Sequence, residues 1–155
     1  MQVICIGNRG ADLSEVSLER SGNTKDARFN LTVGGVYSVY AMALGAAGIE
    51  ILVLGDMGRP RWCHVELFEF LDATLPPGWS FKMMDEEGRY DRALWGYRSL
   101  VQNDSHIEDL LEYKRSAFSD FLTDNDWALR EGPDQEKMRR IEEALQVGRG
   151  DVNPA

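Results

Sequence analysis

Three strand-like runs crowd the stretch from Leu31 to Phe81, and nothing else in the sequence constrains the fold as strongly. Gly35–Leu44, Ile49–Leu54 and Arg61–Leu67 are rich in β-branched and aromatic residues. Glycine-bearing connections, Gly45-Ala-Ala-Gly48 and Gly55-Asp-Met-Gly58, separate them and suit hairpins. In the first run Tyr37, Val39, Ala41 and Ala43 share one face of a strand. Val36, Tyr40, Met42 and Leu44 share the other with Ser38. A strand apolar on both faces must be covered on both, which predicts a strongly bent antiparallel sheet or a small barrel.

The remaining β signals are shorter. Met1–Ile6 reads as an edge strand, and Arg9–Asn30 as mostly surface loop, with Ser14–Glu19 open between a strand and a helical turn. Pro77-Gly78 suits a tight turn before a strand at Trp79–Met83. Asp85-Glu-Glu-Gly88 reads as a turn, and Arg92–Val101 as a last strand.

The pattern changes near residue 103. Ser105 and Glu108 have capping-box spacing, and Ile107, Leu110, Leu111, Phe118, Phe121 and Leu122 follow on one helical stripe. A second helix is expected to open at Gly132-Pro133, bury Met138, Ile141 and Leu145, and end at Gly148, leaving a frayed tail from Arg149. Together these features predict one α+β domain over residues 1–155. Its β part spans about 31–102 and its helical part about 103–148, with two C-terminal α-helices packed on the sheet.

Chemistry is harder to find. The glycines fit neither a phosphate loop nor a dinucleotide fingerprint, because strand follows strand where a helix should open. Cys63 and His64 are neighbours on a strand and so point to opposite faces, which rules out a joint metal site or nucleophile–base pair. Cys5 and Cys63 read as inert core thiols, and His106 as a solvated residue in a helix's first turn. No catalytic residue, cofactor or metal site is expected, although scattered carboxylates leave an enzyme reading open.

Charge gives the remaining direction. The net charge is −9, and residues 103–155 hold 13 acids against 7 bases. Such a field repels phosphate backbones and anionic membranes, and suits a basic protein partner. No run is long enough to span a bilayer, and the first residues lack a secretory signal, so a cytoplasmic location is expected. Candidate contacts are Tyr40, Trp62 and Glu66 on the strands and Asp120, Asp124 and Asp126 on the helical part. Trp62 shares its strand face with His64 and Glu66, which suggests a face reaching solvent or a partner.

One pattern resembles the small SH3-like barrels of bacteria: Leu31-x-x-Gly34-x-x-Tyr37-x-Val39, the acid turn at Asp56, Pro60-x-Trp62, Leu67-Phe68 and Leu75-Pro-x-x-Trp79, over about a third of the chain. Proteins of this kind with acidic helical additions occur among immunity proteins of polymorphic-toxin systems. The resemblance implies an SH3-like sheet and a non-enzymatic module that neutralises a basic toxin by direct binding. Its alternative is an adaptor reading proline-rich or basic peptides through Tyr40 and Trp62.

Overall fold

The computed structural model describes residues 1–83 and 91–147, without the side chains of Asp91 and Arg92. It is an α+β fold with two antiparallel sheets. Strands β1 (Gln2–Cys5), β2 (Val36–Ser38) and β6 (Phe68–Asp72) form one, in the order β2-β1-β6. The other has the order β5-β4-β3-β8-β7, from β3 (Ala41–Gly45), β4 (Gly48–Leu54), β5 (Pro60–His64), β7 (Ser80–Met83) and β8 (Asp91–Gly96).

The expected long strand at 35–44 is two strands in two sheets. Val39 and Tyr40 are adjacent yet both fully buried, which strict alternation forbids. The chain therefore turns a corner between them. Tyr37 and Val39 enter one core with Val3, Ile51, Cys63 and Phe68. Tyr40, Ala41 and Ala43 enter the other with Leu52, Leu54 and the helices. A second corner follows β5, where Val65–Leu67 forms a turn of 3-10 helix before β6, so the run Arg61–Leu67 is not one strand. Among the described residues the sheets stay separate and do not close into a barrel.

Other expectations shift for related reasons. The strand Met1–Ile6 is central rather than an edge, because β2 and β6 pair on its two sides. The presumed loop 9–30 contains helix α1 (Glu15–Ser21), capped by Ser14 Oγ accepting from Ser17 N–H at 3.2 Å. Both hairpins form, with Gly48 and Gly58 at the positive φ their turns require. The last strand stops at Gly96, and Arg98–Gln102 forms helix α2 instead. The turn at Asp85–Gly88 and the tail beyond Val147 lie outside the described residues.

The helical part is not two helices. The stripe from Ile107 to Leu122 is divided between α3 (His106–Leu111) and α4 (Arg115–Asp124), broken where Tyr113 takes φ 62°. That turn lets Tyr113 stack on Phe118 and lie under the guanidinium of Arg59, 5.3 Å from its ring centre. The capping box does not form: Ser105 Oγ meets Asn103 Oδ1 at 3.1 Å and Asp109 Oδ2 at 3.3 Å. After α5 (Trp127–Arg130), helix α6 (Gln135–Gln146) begins two residues beyond Pro133. Its first turn is tied down by Asp134 rather than by the proline.

Asp134 is fully buried. Its Oδ2 accepts from Ser38 N–H at 3.2 Å and the Tyr40 hydroxyl at 3.0 Å, and its Oδ1 faces Lys137 Nζ at 2.9 Å. Lys137 also donates to Leu54 O at 2.9 Å and lies 4.6 Å above the Tyr37 ring. One carboxylate thus joins α6 to the corner between the sheets. The helices cover the five-stranded sheet through Phe118, Phe121, Leu110, Met138 and Ile141, all at 0% exposure. Each such side chain contributes roughly 1.5–3 kcal/mol by leaving water.

Candidate partner-binding groove

The helices do not cover the whole sheet. Directly paired residues share a face, so Trp62 lies beside Leu52, and Leu94 beside Ala43 and Lys82, on the helix side. Toward the end of that face a groove of about 280 Å³ remains between the sheet and α2–α3. Leu94 and the half-buried Trp62 supply its sheet wall, and Leu100, Ile107 and the exposed Leu111 its helix wall. The volume lies just below the range of whole small-ligand sites and is sized for side chains.

The rim carries three carboxylates and one ammonium. Lys82 Nζ pairs with Asp104 across the mouth, which neutralises both. The carboxylates of Glu50 and Glu108 form no ion pair or hydrogen bond with any described residue. Glu50 is half-buried on β4, directly opposite His64 in register and diagonal to Trp62. The result is an apolar trough edged by two negative charges that no described residue compensates.

The six residues singled out from sequence are dispersed. Trp62 lines the groove, and none of the other five does. Tyr40 is 0% exposed, stacked on Trp127 at 5.8 Å and bonded to Asp134. Its ring is core, so no peptide-reading surface can include it. Glu66 does not share a strand face with Trp62, since it sits in the 3-10 turn after β5. It accepts from Ser14 N–H at 2.8 Å, Ser14 Oγ at 3.0 Å and Ser17 Oγ at 2.6 Å, anchoring the start of α1. Those donors, the Ser14 amide first, hold its carboxyl below the usual range.

On the helical part, Asp124 accepts from Ser99 N–H at 2.7 Å and so holds the first turn of α2. Asp126 pairs with Arg130 at 2.5 Å, and Asp120 is exposed on α4.

The histidine expectation also changes. His106 is 1% exposed, with its Nε2 3.0 Å from the Tyr97 hydroxyl, because the stripe of α3 turns it inward. Burial pushes its pKa down, while Asp120, Asp124 and Asp109 pull the other way. Both cysteines are buried and unbridged, and burial pushes the Cys63 thiol up to about 12. Among the described residues no three His, Cys, Asp or Glu side chains gather as a metal site. No helix among them is long and apolar enough to cross a membrane.

The sequence does not single out Glu50 and offers Glu108 only as a capping residue, because their place at the groove depends on which described neighbours carry a cation. Glu50 carried one signal, an acid inside an otherwise apolar strand. No protein-family model, curated protein or solved structure matches this chain.

Proposed function

We propose that this protein is a non-catalytic binding module whose groove receives a basic segment of a protein partner. The observation that carries the reading is the groove itself: an apolar floor beneath two carboxylates, Glu50 and Glu108, that no described residue neutralises. The net charge of −9 supports it by steering a cationic partner toward the protein. The more specific form is an immunity protein that holds a basic toxin in the bacterial cytoplasm, as the resemblance to SH3-like immunity proteins implies. In that form an inhibitor needs no catalytic group, only surface complementarity.

The test is binding followed by function. Immobilised full-length protein is exposed to extract from the source cell, and each retained basic protein is purified and titrated. A one-to-one complex whose affinity falls steeply with salt, and rescue of growth when a toxic partner is co-expressed, are the expected results. If no purified basic protein binds in a salt-dependent manner, the proposal is wrong.

A further inference from the structure

The groove is not uniformly acidic, and the two carboxylates that no described residue neutralises differ. Glu108 is exposed on α3, where water satisfies it. Glu50 is half-buried in the sheet face, bordered by Leu94 and Trp62, with no donor from any described residue. A partly desolvated carboxylate gains more from an opposite charge than a solvated one does. Beside it stands an indole whose face attracts cations, more strongly when water is displaced. The nearest ammonium in the rim, Lys82, is already held by Asp104 on the opposite wall. Among the described residues His64 stands opposite Glu50 in register, is 3% exposed and forms no ion pair with it.

We infer that Glu50 and Trp62 form a subsite for one arginine or lysine side chain of the partner, with an adjacent apolar residue seated on Leu100, Ile107 and Leu111. The inference rests on the binding reading above and makes it specific. The long aliphatic stem of such a side chain matches the apolar wall, and its charged head reaches the carboxylate. Arginine fits better than lysine, because a planar guanidinium can stack on the indole and still bond Glu50. Charge complementarity therefore selects the occupant: an apolar residue next to a cation, on one short segment. A purely apolar segment would leave Glu50 buried without a counter-ion, which disfavours it.

The probe is the acetylated, amidated dipeptide Leu-Arg, titrated into the 15N-labelled full chain and compared with the same peptide carrying citrulline in place of arginine. Citrulline keeps the shape and removes the charge. Shifts should concentrate at Glu50, the Trp62 indole N–H, Leu94 and Ile107. The citrulline peptide should bind about tenfold more weakly, the order expected for losing a charge-assisted hydrogen bond. Glu50→Gln should weaken the arginine peptide by a similar factor and leave the citrulline peptide unchanged. Glu108→Gln should change the arginine peptide less than twofold. Equal binding of the two peptides, indifference to Glu50→Gln, or shifts located elsewhere would each overturn the subsite.

A purified basic partner separates the two ideas. If it still binds while the dipeptide ignores Glu50, the subsite is wrong and the binding module stands. If the dipeptide titrates as expected and no basic protein binds, the subsite stands and the wider reading falls.

Discussion

Replacing Asp134 by alanine should be among the most damaging single changes available to this chain. The side chain is 0% exposed and takes three donors: the Ser38 amide, the Tyr40 hydroxyl and the Lys137 ammonium. Alanine leaves the first two buried without an acceptor, at about 1–3 kcal/mol each. Lys137, whose side chain is 19% exposed, can turn partly toward water but then gives up its bond to Leu54 O. The sum falls near the 3–5 kcal/mol typical of breaking a buried ion pair from one side. Against a total stability of about 5–15 kcal/mol this is a large fraction.

Lys137→Met should be milder. Burial already pushes the Asp134 carboxyl upward, and without the ammonium it can take up a proton instead of staying charged. The double substitution removes both charges and should cost about 2 kcal/mol less than the two singles added together. Urea unfolding followed by tryptophan fluorescence and far-ultraviolet circular dichroism measures all three. With a slope of about 2 kcal/mol per molar, a loss of 4 kcal/mol moves the midpoint by roughly 2 M. Additive effects, or a cost below about 1 kcal/mol for Asp134→Ala, would refute the claim that this carboxylate joins α6 to the sheet corner.

Two further outcomes follow from buried titratable groups. His106 has a folded pKa below its ordinary value of about 6.5, so the unfolded chain takes up the proton first as pH falls. Its contribution to stability is therefore complete above pH 6.5 and is lost as pH drops toward the folded value. Unfolding free energies at pH 7.5, 6 and 5 should fall more steeply for the native chain than for His106→Gln, and parallel profiles would contradict this. Cys5 and Cys63 are at 1% and 0% exposure with raised thiol pKa values, so neither should react with a thiol reagent at pH 8 until the chain unfolds. Rapid labelling of the native protein would show that these thiols are reachable.

Local signals in the sequence went as far as local physics reaches. The two hairpins at Gly45–Gly48 and Gly55–Gly58 were legible because a positive φ selects glycine whatever surrounds it. The inward stripe of Phe118, Phe121 and Leu122 was legible because helical periodicity marks a buried face. Those residues determined an α+β chain with antiparallel strands and helices laid against a sheet. The corner at Val39–Tyr40 was not legible. Both residues are apolar, and only the presence of two separate cores explains why neighbours in sequence are both buried. The break at Tyr113 was hidden for the same reason, since its φ of 62° is held by a ring contact with Phe118 and by Arg59 from the β4–β5 region.

The candidate site divides in the same way. Trp62 could be suspected from its polar neighbours, but Tyr40 looked equivalent on paper and is core, because Asp134 reaches it from 94 positions away in the chain. Sequence by itself determined the two antiparallel hairpins, the buried helical stripe and the acidic balance. Only the tertiary structure decided that Glu50 would stand beside Trp62 with no cation among the described residues, since the pairing of a charge is a property of everything around it and not of the residue.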